Sequence, residues 1–275
     1  MIKVDGIILV ISCHKHLNTR LNEFQLPQAE YGNWKVIYVI GDLRLDCDYK
    51  LYGNLMVIKC EDSYIHLLKK VVLSLKYLHE VFDIKEGILR AGDDLIFNEN
   101  SLCTFLNEKK EYIFNDKNNV IDYMGISITW EPDNNPYNIY IMHMSEAYLK
   151  TTINDNSMVK YYNEHPEDID NPLHNLKGID FSKYTKRPHV PCTASGVLYY
   201  ISNKSCNILI NHLHSINYDI FHYDEYTDSY PYTIEDCSIS YILHLNKIFF
   251  IHYGNMYSDN YIDEDCIACH TNKYK

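Results

Sequence analysis

Short apolar runs separated by polar breaks dominate the first hundred residues. "VDGIILVIS" (4–12) closes on Ser12, "WKVIYVIGD" (34–42) closes on Asp42, and "LMVIKC" (55–60) is a third such run. Runs of this length bounded by turn residues predict buried strands. "DSYIHLLKKVVLSLKYLHEVF" (62–82) instead spaces its apolar residues as a helix does, with Asp62 or Ser63 positioned to cap it. "GILRAGDDLIF" (87–97) predicts a fourth strand interrupted by a polar break. Strands alternating with helices predict an α/β fold whose mostly parallel sheet is covered on both faces. Ligands bind beyond the carboxyl ends of such strands. Ser12, Asp42, Asp93 and Asp94 all fall at those ends.

The second half is less regular. Residues 131–190 are rich in Asn, Asp, Pro and His, which predicts long surface loops with short helices. Order returns at "PCTASGVLYYIS" (191–202), where small residues feed an apolar strand. "YTIEDCSISYILHLNKI" (232–248) predicts a helix after Thr233, which stands in a capping-box relation to Asp236. "IFFIHYGN" predicts the last core strand. No internal repeat divides the chain. The expectation is one domain over 1–275, with a nucleotide-binding half (1–130) and an acceptor-binding half (131–275).

Composition narrows the function. A net charge of −12 argues against a nucleic-acid partner, since phosphate neutralisation needs a basic face. A nucleotide needs only a local patch and a metal. The 26 tyrosines, with abundant Asn, Ile and Lys, fit an AT-rich coding sequence, as in a virus. Nine cysteines without a paired framework predict reduced thiols in a cytoplasmic protein. The first strand begins too early to leave room for a signal peptide before it. No apolar stretch approaches the ~20 residues a spanning helix needs, so no membrane span is expected.

The candidate chemistry centres on Gly92-Asp93-Asp94. Adjacent carboxylates repel one another and are costly to desolvate. Three readings stay open from the residues themselves. One is a solvated turn. A second is the metal-binding hairpin of an RNA-dependent polymerase, which the acidic charge disfavours. The third is a cation site for a nucleoside-diphosphate sugar, in which a carboxylate holds a metal that bridges the two phosphates.

Four segments, in order, carry a family resemblance: "DSYIHLLKK" (62–70), "RAGDDLIF" (90–97), "PCTASGVLYYIS" (191–202) and "EDCSISYILHLNKI" (235–248). Together they resemble the inverting β-1,3-glycosyltransferases of the galactosyltransferase and Fringe type. Those enzymes show "DSYxNLTxKT", then "DDDxF", a glycine-rich "CSGGGY" stretch, and "EDVxVG". The resemblance implies the GT-A fold, a UDP-sugar donor, a glycan or glycosylated acceptor, and Mn²⁺ or Mg²⁺. It implies Asp94 as the metal ligand, Asp93 on ribose or donor sugar, and donor-sugar contacts from Ala194, Ser195 and Gly196. It makes Asp236 the base that activates the acceptor hydroxyl, with Glu235 as second candidate; helix capping is the competing role for both. The chain departs from the family at Gly92, where the triplet has its first Asp, and in the diluted glycine run.

Position alone suggests the remaining candidates. His252, at the end of the last core strand, is the expected imidazole ligand, and an imidazole in the shell favours Mn²⁺. Arg20 and Lys70 are the expected diphosphate contacts, and Ser12 and Asp42 the expected contacts to nucleobase and ribose. "CHKH" (13–16) is read as loop contacts to the nucleotide. "CIACH" (266–270) has the spacing of a c-type haem attachment, a reading the missing secretion signal disfavours. A nucleotidyltransferase is the main alternative, but "SCHKHLNTR" lacks the glycines its phosphate loop needs. A non-catalytic glycan- or nucleotide-binding module is the other. Gly92 supports it, and retention of both "GDD" and "IED" counts against it.

Overall fold

The computed structural model describes residues 1–23, 28–114, 116–127, 139–142, 151–190, 192–212 and 233–271. The strands expected from the apolar runs form β1 (Ile2–Ile11), β2 (Trp34–Gly41) and β4 (Leu55–Ile58), with the unforeseen β3 (Tyr49–Tyr52) between the last two. Helix α1 (Leu67–Val81) leads into β5 (Phe82–Ala91), followed by β6 (Leu95–Phe97) and α2 (Glu99–Asn107). Then come β7 (Tyr123–Ser127), β8 (Ile139–Met142), α3 (Ser157–Glu164), β9 (Ala194–Ser202) and α4 (Asn203–His212). The described chain closes with α5 (Glu235–Leu245), β10 (Phe250–Tyr253), β11 (Tyr257–Asp259) and β12 (Ala268–His270).

The main sheet runs β8-β10-β7-β9-β5-β1-β2-β4-β3. It is mixed, which corrects the expectation of a mostly parallel sheet. β5, β1, β2 and β4 are parallel neighbours. β9 then enters antiparallel to β5, and β7 antiparallel to β9. Alternation along β1 shows how both faces are buried. Ile7, Leu9 and Ile11 share a core with Leu68, Val71 and Leu75 of α1, Leu209 of α4 and Ile239 of α5. Ile8 and Val10 point the other way, into a core with Leu102 and Phe105 of α2 and Ile267. Each such side chain fully withdrawn from water contributes about 1.5–3 kcal/mol. No helix among the described residues is long and apolar enough to cross a membrane.

Two expected caps are absent. α1 starts five residues after Asp62, at Leu67, and its N-cap His66 makes no side-chain capping bond. Asp62 is drawn elsewhere: it accepts from the N–H groups of Gly41 and His14 and from the Lys70 ammonium. α5 likewise has Ile234 as N-cap rather than Thr233. A second, three-stranded sheet matters more for function. β12 lies between β11 and β6, antiparallel to β6, with His270 opposite Leu95. This sheet carries the "CIACH" segment back to the acidic pair.

Candidate active site

Beyond the carboxyl ends of β1 and β5 lies a cleft of about 830 Å³. Ser12, Arg20, Lys70, Asp93, Asp94, Ser195, Gly196, Glu235 and Asp236 all line it, so nine residues chosen from distant segments converge on one place. Asp42, Ala194 and His252 do not line it. Asp42 turns back on Arg44, whose guanidinium bond holds its carboxyl below the usual range. Ala194 is core, donating its N–H to the Tyr123 hydroxyl at 3.0 Å. His252 is buried, and its Nδ1 accepts from the Ser127 N–H at 3.0 Å. Pro191 lies outside the described residues.

The two carboxylates of the acidic pair differ in their surroundings. Asp93 is 6 % exposed, and three donors converge on it: Ser12 Oγ at 2.6 Å, His16 Nδ1 at 2.9 Å and Arg20 Nη1 at 2.8 Å. Burial opposes its ionisation, yet those bonds pull its carboxyl down to about 2. The same contact raises His16 to about 9, so its imidazole is cationic at neutral pH. Asp93 thus anchors the loop after β1 while lining the cleft. Lys70 is engaged in the same way. At 2 % exposure its ammonium bonds the Ser12 carbonyl at 2.9 Å and the Asp62 carboxylate. Burial works against its charge and Asp62 restores it, the balance lying above the ordinary value. Lys15, His16 and Arg20 also line the cleft, with Lys70 and Arg90.

Asp94 faces outward to a different partner. Its Oδ2 lies 3.4 Å from His270 Nε2 and 3.8 Å from Arg20 Nη1. His270 Nδ1 bonds Asp259 Oδ1 at 2.9 Å, which orients the ring with Nε2 toward Asp94. The Thr271 N–H donates to the Asp94 carbonyl at 3.1 Å, tying the segment after β12 to the acidic turn. The Asp94 contact raises the His270 pKa. Gly92 fits beside it: a Cβ there would stand 2.8 Å from Asp94 Oδ1. Among the described residues no group of three acidic, histidine or cysteine side chains could hold a metal. Asp94 and His270 are two donors that face each other at this edge of the cleft.

Across the cleft, α5 begins with two carboxylates of opposite character. Glu235 is 5 % exposed and accepts from Tyr199 Oη at 2.5 Å, while the Arg90 guanidinium approaches both of its oxygens at 3.4 Å. Burial pushes its carboxyl up despite the Arg90 charge. Asp236 is half-buried, with Oδ2 accepting from the Gly196 N–H at 3.0 Å and Oδ1 from the Cys237 N–H at 2.7 Å. A Cβ on Gly196 would come within 3.4 Å of both carboxylates, so glycine lets β9 approach them. Asp236 holds its helix end and still opens onto the cleft.

Sequence reasoning missed Lys15, His16 and His270 as named site residues. The first two lie within "CHKH", read only as generic nucleotide contacts. His270 was visible only as part of a haem-like spacing, because its approach to Asp94 depends on its pairing with Leu95, 175 positions away in the chain (270 − 95). A scan of the chain against protein-family models finds no match, and a search of curated proteins finds none either.

Proposed function

We propose that the chain is a metal-dependent inverting glycosyltransferase of the GT-A type. It transfers a sugar from a UDP-sugar donor to a hydroxyl of a glycan or glycosylated acceptor. The observation that carries the reading is the Asp94–His270 pair, 3.4 Å apart in the same cleft as Asp236. Once Nε2 is deprotonated, the carboxylate and the imidazole present one oxygen and one nitrogen lone pair to a cation between them. The Nδ1 bond to Asp259 is the outer-shell partner that a metal-bound histidine characteristically has. One oxygen and one nitrogen donor suit Mn²⁺, with Mg²⁺ as the harder alternative, and the open positions suit water and a diphosphate. When bound, the cation supplies Lewis-acid stabilisation of the departing diphosphate.

The protein's own groups account for the rest. Cationic His16 and Arg20 stand beside the acidic pair and orient the diphosphate, with Lys15 elsewhere on the cleft lining. Asp236 accepts the proton of the acceptor hydroxyl. The freed oxygen pair attacks the anomeric carbon while the bond to the diphosphate breaks on the opposite face, and its electrons leave with UDP. Glu235 is a positioning residue. Its bonds to Tyr199 and Arg90 fix the first turn of α5, and Arg90 Nη1 also donates to the Gly196 carbonyl.

Calorimetry of UDP with Mn²⁺ and with EDTA tests the site. Asp94→Asn should abolish metal-dependent binding, and His270→Ala should weaken it by at least about tenfold, with cooperative unfolding retained. UDP binding equally well in EDTA refutes the metal assignment. Asp236→Asn should keep UDP and metal binding but lose about 10²–10⁴-fold in transfer from a UDP-sugar. Near-native transfer with a lowered melting point would leave Asp236 a helix-end ligand alone.

A further inference from the structure

The cleft has an aromatic wall that the chemistry above leaves unused. Tyr64, in the turn before α1, is 43 % exposed and packs on Tyr161 of α3 with ring centroids 4.8 Å apart at 31°. Tyr161 packs in turn against His165 at 4.6 Å and donates its hydroxyl to Asp168 at 2.8 Å. Behind this wall Tyr162 stacks on Phe181 at 4.0 Å, and its hydroxyl accepts from the Ile65 N–H at 3.2 Å. Ile65, Met158, Leu176 and Tyr184 complete a small core separate from those under the main sheet. The rings are therefore held in place before any ligand arrives, which lowers the cost of binding.

Tyr64, Tyr161 and Asp236 line the same cleft. The Tyr64 hydroxyl is close enough to the α5 carboxylates to feel them: burial, then the Asp236 and Glu235 charges, push it up to about 12. It stays a neutral donor at working pH. An aromatic face is apolar and carries partial negative charge. It rejects a diphosphate and favours a flat ligand that offers polarised C–H groups on one face and hydroxyls around its rim. A pyranose ring has that form. His16 and Arg20 stand at the Asp93–Asp94 end of the cleft, whereas Lys15 pairs with Glu167 and Asp168 next to the aromatic wall, where Tyr161 also bonds Asp168.

We propose that Tyr64, backed by Tyr161, forms the acceptor platform, stacking against the C–H face of a pyranose ring so that one of its hydroxyls meets Asp236. The assignment rests on the glycosyltransferase reading and names the acceptor class as glycans.

Saturation-transfer NMR on the full chain tests it, with methyl β-galactopyranoside, methyl β-glucopyranoside and methyl β-N-acetylglucosaminide as probes and sorbitol as the open-chain control. Binding of UDP with Mn²⁺ is measured on the same samples. At least one pyranoside should receive clearly more saturation than sorbitol. Tyr64→Ala should remove the excess, and Tyr64→Phe, which keeps the ring face, should preserve it. The platform is refuted if sorbitol matches every pyranoside or if Tyr64→Ala keeps the excess. It is equally refuted if Tyr64→Ala weakens UDP by about tenfold or more, since the wall then serves the donor's base. Pyranosides binding through Tyr64 to a protein that ignores UDP would keep the platform and remove the donor assignment.

Discussion

The two ends of the cleft are built on opposite principles. Around the tips of β1 and β5, Asp62 and Asp93 gather backbone N–H groups, an ammonium, an imidazolium and a guanidinium into bonded clusters with little exposure. The far wall, from Tyr64 to His165, is aromatic, and Tyr64 itself is among the more exposed large side chains. Charge is concentrated where an anionic ligand is expected, and it has to be held rigid because unpaired charges in a cleft are costly. The aromatic wall needs only to present a face. One end should therefore be stability-critical and the other nearly indifferent.

The largest effect should come from cutting the charged cluster. Asp62→Ala leaves Lys70 at 2 % exposure without its carboxylate and should cost about 3–5 kcal/mol in urea unfolding. Tyr64→Ala, on the exposed wall, should stay within about 0.5 kcal/mol. Similar losses in the two variants would erase the contrast. Next in size, Asp259→Ala removes the acceptor that orients His270 and should weaken metal-dependent UDP binding by about 10–100-fold, with little change in stability. The smallest effect is in pH. His16 is raised from 6.5 to about 9 by Asp93, so its contribution is fully present below pH 6.5 and is lost as pH rises through about 9. Allowing for the solvent at its ring, that contribution is on the order of 1–2 kcal/mol. His16→Gln should flatten the melting profile across that window, and an unchanged profile would detach His16 from the anchoring cluster.

Apolar periodicity made β1, β2, β4, α1 and α5 legible because each element's burial is written in its own residues. The mixed sheet was not legible. Whether β9 enters beside β5 parallel or antiparallel depends on the path of the chain before it, and no local pattern encodes that. The same division runs through the site. Asp94, Ser195, Gly196, Glu235 and Asp236 sit at strand or helix ends, where local sequence marks them. His252 also sits at a strand end, but its register opposite Gly125 takes it into the interior, where its Nδ1 meets the Ser127 N–H. Asp62 looked like a helix cap because its sequence neighbours are helical, whereas three of its partners come from Gly41, His14 and Lys70. His270 reaches Asp94 through a small second sheet that "CIACH" does not announce.

Gly92 has a consequence for how this chain can change. A side chain there would meet Asp94 Oδ1 at the first carbon, 2.8 Å away, and Asp94 would have to rotate to relieve the contact. The glycine and the orientation of Asp94 are a matched pair. A Gly92→Asp substitution therefore adds a carboxylate and redirects one at the same time. Acidity at this turn is limited by space as well as by charge, since a third carboxylate can enter only where the second gives way.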